Sequence, residues 1–246
     1  MPQAVPEAHI PFAEVYIREP YSVNILGRIV VPRERVALYV DGFNLYHALD
    51  ALGPNHLKWL NLRKLGRLLI KSRSQVLVSV CYFSAYAEHL KGTEKEGSIH
   101  RHRAYVAALE AKGVEFVKGN FARRELSYRG GRRYRAKWQK HEEKQTDVAI
   151  GVRVMADAIR DKFDTAMIVS NDTDMIPLFQ AMAQIFPHKK ALTISAPERP
   201  HHQTLIDVAA EHGRIRRSQV EKALFGPRIV QGGRIVARRP AEYAPP

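Results

Sequence analysis

Residues 35–49 read RVALYVDGFNLYHAL. Val36 to Val40 form a short apolar run that closes on Asp41-Gly42, the pattern of a buried strand followed by a tight turn. Asn44 to Leu49 then read as a first helix. The same succession recurs along the chain. Strands are expected at 75–82, 114–117, 165–170 and 190–195, and helices at 61–72, 100–112, 146–161 and 175–185. Short elements at 205–209, 214–217 and 219–224 close the domain. In the 146–161 helix, Val148, Val152, Met155 and Ile159 follow one face and Gly151 and Ala158 another, and both faces read as buried. Strands alternating with helices imply an α/β fold in which helices cover both faces of a mostly parallel sheet. Sites in such sheets lie outside the carboxyl ends of the strands.

That rule draws attention to four acids. Asp41 ends the first strand, and Asp172 and Asp174 follow the strand at 165–170. Asp147 sits near the start of the 146–161 helix, where the helix dipole favours a carboxylate. If that helix end faces the same sheet edge, all four converge. Carboxylates crowded in this way repel one another and tend to take up protons unless a cation lies among them. Oxygen-only ligation, without cysteine or an indispensable histidine, points to Mg2+ or Mn2+ rather than zinc. Such an ion acidifies water and stabilises charge on a phosphate, so phosphodiester hydrolysis is the natural reaction. Each acid also has a purely structural reading. Asp41-Gly42 is turn chemistry, Thr146 or Asp147 a helix cap, and Ser170 to Asp174 a loop that caps the next helix. Their joint placement at strand ends favours the site.

Three segments, in order, carry a family resemblance: VALYVDGFNLYHAL (36–49), EEKQTDVAIGVRVMADA (142–158) and MIVSNDTDMIPLFQAM (167–182). Together they resemble the signature segments of NYN domains, and most closely the bacterial LabA-like members of that PIN-like group. The resemblance implies a PIN-like three-layer α/β/α sandwich and a metal-dependent ribonuclease activity. It implies metal-site roles for Asp41, Asp147, Asp172 and Asp174. Asn44 matches a polar residue after the first Asp, placed to orient a carboxylate or the scissile phosphate. Ser170 and Thr173 are expected to bind phosphate or to brace the acidic loop.

The charge balance agrees with an anionic partner. A formal net charge of +14 and a pI near 10.0 favour polyanions through counterion release. Residues 121–141 concentrate the excess in two basic and aromatic arms around Gly130-Gly131, read as a hairpin insertion or a long loop. Arg124, Arg132, Arg133, Arg135 and Lys137 are expected to meet phosphates. Trp138 stacks on unpaired bases in this reading, which suits single-stranded RNA. The alternative is a solvated hairpin whose aromatics pack on the domain.

Residues 1–33 are Pro-rich and stand as an N-terminal extension in which Val23 to Val31 offers a strand or an arm. Residues 34–225 are the NYN/PIN-like domain, and 226–246 a C-terminal tail mobile at its end. The lone Cys81 lies in an apolar strand, as suits a free thiol in a reducing compartment. No apolar run approaches the roughly 20 residues of a spanning helix, and no secretory signal pattern opens the chain. The expectation is a cytoplasmic protein without a membrane partner. PIN-like domains often pair, so a homodimer is an open expectation. The competing function is a non-catalytic RNA-binding scaffold or regulatory protein. A phosphatase of the haloacid-dehalogenase type is disfavoured because Asp41-Gly42-Phe43 lacks an Asp-x-Asp pair. A P-loop ATPase is disfavoured because no Gly-rich Lys-Ser/Thr loop occurs.

Overall fold

The computed structural model describes residues 22–23, 29–30, 32–130, 134–144 and 146–246, in two units, Met1–Arg33 and Glu34–Pro246. In the first unit, β1 (Ser22–Val23) pairs antiparallel with β2 (Ile29–Val30).

The second unit begins with β3 (Glu34–Asp41), which runs directly into α1 (Gly42–Ala51). There follow α2 (Leu62–Leu69), β4 (Gln75–Ser84), α3 (Gly97–Glu110) and β5 (Glu115–Lys118). An antiparallel ribbon of β6 (Asn120–Gly130) and β7 (Tyr134–Lys144) then interrupts the alternation. The chain resumes with α4 (Thr146–Ile159), β8 (Thr165–Val169), α5 (Ile176–Ile185) and β9 (Lys190–Ser195). It closes with α6 (Gln203–Val208), β10 (Glu211–Arg214), α7 (Arg217–Lys222) and a hairpin of β11 (Arg228–Gln231) and β12 (Arg234–Arg238).

The central sheet has six strands in the order β10-β9-β8-β3-β4-β5, and every pairing in it is parallel. Val36 to Val40 have no solvent exposure, because a central parallel strand is covered on both faces. Alternate residues serve opposite layers. Val36, Leu38 and Val40 join a core with Leu45 and Leu49 of α1, Leu65 of α2 and Leu109 of α3. Ala37 and Tyr39 join a second core with Ile150 and Val154 of α4 and Phe179 of α5. This is the three-layer α/β/α sandwich that the sequence implies. The order reverses between β3 and β8, since the chain first builds outward through β4 and β5 and then returns to the other side of β3. That switch point, at the carboxyl ends of β3 and β8, is where a sheet of this kind is expected to open its crevice.

One expectation is corrected in α4. Val148, Val152 and Ile159 are 68%, 64% and 71% exposed, whereas Ile150, Val154 and Ala158 are buried. A straight helix lying on a sheet offers only one stripe at i, i+4, i+8 to it, and the apolar residues on the far side remain in solvent. The same packing buries Asp157, which accepts hydrogen bonds from the Tyr39 hydroxyl at 3.1 Å and from Arg153 at 2.7 Å. Lys162 pairs with it at 2.9 Å. Residues 226–246, set apart above as a tail, carry Ile229, Ala237 and Tyr243 into the first core, and the Trp59 indole donates to the Gly226 carbonyl at 2.9 Å. Among the described residues no helix is long and apolar enough to cross a membrane.

Candidate functional site

The crevice collects acids from three segments. Asp41 is the last residue of β3 and caps α1, accepting the Asn44 backbone N–H at 2.9 Å. Its carboxyl is buried. Ser170, the residue after β8, donates its hydroxyl to Asp41 Oδ2 at 3.2 Å and accepts the Asp172 N–H at 3.1 Å. Asp172 caps the 3-10 turn Thr173–Met175 that leads into α5, and its side chain accepts the Asp174 N–H at 3.0 Å. Pro177 follows in the first turn of α5, where its missing N–H costs nothing. Asp147 lies in the first turn of α4 and is half-buried.

Three of these side chains come together: one carboxylate oxygen each from Asp147, Asp172 and Asp174 lie within 4.8 Å of one another. Asp41 is not a member of that triangle. It stands behind it, joined through Ser170, and its charge is still felt at Asp147. Burial, followed by the charges of Asp41, Asp172 and Asp174, pushes the Asp147 carboxyl up to about 6. Burial also raises Asp41, opposed by the hydrogen bonds from Asn44 and Ser170. A carboxylate triangle of this size, all oxygen and mutually repelling, fits a hard divalent cation.

Of the other expected residues, Ser170 is engaged in bracing the acidic loop. Asn44 contributes its backbone N–H, and Thr173 opens the 3-10 turn between Asp172 and Asp174. In the ribbon, Arg124 pairs with Lys140, Leu126 with Trp138, Ser127 with Lys137 and Arg129 with Arg135. Arg132 and Arg133 lie outside the described residues. The ribbon follows the carboxyl end of β5, and its second strand ends at Lys144, shortly before α4 begins at Thr146, so its root is at the same sheet edge as the acids.

Sequence reasoning missed Asn171. Its side chain donates to the Pro200 carbonyl at 2.7 Å and accepts the Ala196 N–H at 3.2 Å, tying the acidic loop to the segment after β9. The available signal was its place between Ser170 and Asp172, where a bifunctional amide can bridge two loops.

The family model described as NYN domain matches residues 35–212, from β3 into β10. The chain belongs to the NYN family. The match takes in every acid of the crevice and places the domain in the PIN-like superfamily of nucleases that generally use divalent metals. Among curated proteins the NYN chain is 27% identical to 6-hydroxy-3-succinoylpyridine 3-monooxygenase HspA of Pseudomonas putida, over 59% of this chain and 54% of that protein. The chain thus spans about half the length of that relative. Among solved structures it is similar to a Vibrio parahaemolyticus protein of unknown function, with a TM-score of 0.48 and 21% identity over 75% of this chain and 94% of the other.

Proposed function

We propose that this NYN domain is a metal-dependent ribonuclease that hydrolyses phosphodiester bonds of single-stranded RNA at the carboxyl edge of β3 and β8. The observation that carries this reading is the triangle of Asp147, Asp172 and Asp174 oxygens within 4.8 Å. These three carboxylates would hold Mg2+ or Mn2+. Such a cation, when bound, acidifies water and stabilises the charge that gathers on the phosphate. Asp41 acts from behind as the fourth acid: it fixes Ser170 and, through Ser170, the backbone of Asp172. Asp147, raised to about 6, holds a proton more readily than an ordinary carboxylic acid until a cation replaces it. Water attacking the phosphorus in line leaves a 5′-phosphate and a 3′-hydroxyl. The β6–β7 ribbon, with Arg124, Arg132, Arg133, Arg135, Lys137 and Trp138, is the proposed strand-holding arm. Eleven-residue strands span roughly 35 Å, long enough to follow several nucleotides.

The monooxygenase name of the P. putida relative belongs to a longer protein. The all-carboxylate donor set here argues for phosphate chemistry instead.

The test uses the full chain and its Asp172→Asn variant with end-labelled single-stranded RNA and DNA, each in Mg2+, Mn2+ or EDTA. Cleavage of RNA that requires metal and disappears in the variant is the expected result. Tight binding with no cleavage in any metal would replace the nuclease by an RNA-binding scaffold.

A further inference from the structure

A cavity of about 640 Å³ opens between α1, the carboxyl end of β4 and α3. Gly42 and Ser84 line it, and Asp41 is the residue before Gly42. Asp41 follows Ala37 and Tyr39 on the α4 side of the sheet, whereas Tyr82 and Tyr105 of the cavity belong to the α1–α3 side. The acid cluster and the cavity therefore flank one turn from opposite faces.

The walls are unusually aromatic. At the mouth, Phe43 and Tyr46 are 48% and 44% exposed, and the His47 ring packs edge-on against both, with centroids 4.3 and 5.6 Å away. Deeper in, the Tyr82 ring meets Tyr105 edge-on at 5.7 Å, and its hydroxyl lies 3.3 Å from His102 Nε2. Exposed aromatic rings at the mouth of a largely apolar cavity mark a surface that receives a ligand.

The charges decide what kind. Lys58 is committed to Asp50 and Asn55, and Arg101 to Glu242 at 2.8 Å. Lys95 and Glu94 both line the cavity, so their formal charges cancel. Burial pushes the His102 imidazole down to about 4, so it is neutral at physiological pH. Among the described residues a phosphate would find little unpaired positive charge here. A flat, uncharged ring with polar edges would find faces to stack on and a Tyr–His pair at hydrogen-bonding depth.

We propose that this cavity takes a nucleobase, that of a nucleotide adjoining the phosphate held at the acid cluster. The identity of the ring rests on the nuclease reading; the neutral, aromatic character of the cavity does not. Its volume falls within the roughly 300–1,000 Å³ of small-ligand sites, with room for a base and its ribose. Base stacking of this kind contributes roughly 10- to 100-fold in affinity.

The test is calorimetric binding of the four uncharged nucleosides to the full chain in EDTA. Inorganic phosphate serves as competitor, with Tyr46→Ala at the mouth and Ser98→Trp filling the interior. The expected result is nucleoside binding that falls at least 10-fold in both variants, with melting temperature and Mn2+ affinity unchanged and no competition by phosphate. Absence of nucleoside binding, equal binding by wild type and both folded variants, or displacement by phosphate would overturn the proposal. Run beside the cleavage assay, the two readings separate. Nucleoside binding without cleavage supports the pocket and removes the nuclease; cleavage without nucleoside binding removes the pocket alone.

Discussion

Ser170 donates its hydroxyl to the buried Asp41 carboxylate at 3.2 Å while accepting the backbone N–H of Asp172. One side chain thus sets the spacing between the acid at the end of β3 and the acidic loop after β8. Ser170→Ala removes a hydrogen bond to a buried acid, worth about 1.5–3 kcal/mol when the acceptor is charged. It also frees the Asp172 backbone. The expected outcome is a loss of cleavage on the order of 10- to 100-fold, with a melting temperature only a few degrees lower. Single-turnover cleavage and a thermal melt on the same preparation check it. Unchanged cleavage would show that the loop is held without Ser170.

The Asp147, Asp172 and Asp174 oxygens repel one another whenever no cation is present. Asp172→Asn relieves that repulsion and should therefore melt higher than wild type in EDTA. With Mg2+ or Mn2+ in excess the order reverses, because a cation that binds only the folded state stabilises the wild type with the logarithm of its concentration over the dissociation constant. At about 100-fold over the dissociation constant the gain is about 2.7 kcal/mol. Melts of both proteins in EDTA and along a Mn2+ titration read the crossing. Parallel curves would show that the triangle holds no cation.

Much of this is legible in the sequence. Val36 to Val40 announce a two-sided buried strand because nothing polar interrupts them, and Asp41-Gly42 marks where it ends. The acids after β8 follow from the same logic. That Asp41 stands behind the other three could not be read. It depends on the pleat, which turns Asp41 toward Ser170, and on the helical rotation that sets Asp147. The cavity was also hidden, since its walls come from residues 42–49, 58, 82–105 and 243, which no local pattern connects. The α4 error has a simple source: the helix is apolar on two sides, and periodicity alone does not say which stripe meets the sheet.

That stripe can be tested directly. Ile150→Ala deletes a fully buried side chain and should cost about 2–5 kcal/mol. Val152→Ser, at a position 64% exposed, should change stability by less than about 0.5 kcal/mol. Urea melts of the two variants decide. Comparable losses would mean that the Val148, Val152 and Ile159 face is covered in solution, and gel filtration of the wild type would show whether a second copy covers it.

Gly42 sits where the crevice and the cavity adjoin, and its place tolerates no side chain. A Cβ there would stand 2.5 Å from Tyr82 Cε2 and 2.6 Å from the Phe83 carbonyl oxygen. The carbonyl belongs to a central strand and cannot retreat without moving β4. Gly42→Ala should cost about 1–3 kcal/mol by overpacking and should reduce cleavage more than stability, since the turn it displaces carries Asp41. Cleavage per folded molecule, measured below the melting transition, is the readout. Full activity in the folded fraction would separate the turn from the chemistry.

His102 gives the domain a pH dependence with a definite sign. Burial against the cavity wall pushes its imidazole down to about 4, while in the unfolded chain it titrates near 6.5. Between these values the unfolded chain takes up a proton that the folded chain refuses. Stability on this account is full above pH 6.5 and is lost as the pH falls toward 4. In EDTA the Asp147 carboxyl, raised to about 6, works in the opposite sense and favours the folded state at low pH. Subtracting the pH profile of a His102→Gln variant from that of the wild type cancels Asp147 and the remaining carboxylates, provided their environments are unchanged. Urea melts from pH 7 to 4.5 should show the variant losing less stability than wild type over that interval. Identical slopes would mean that the His102 ring reaches water when protonated, and the wall it forms with Tyr82 would then open on acidification.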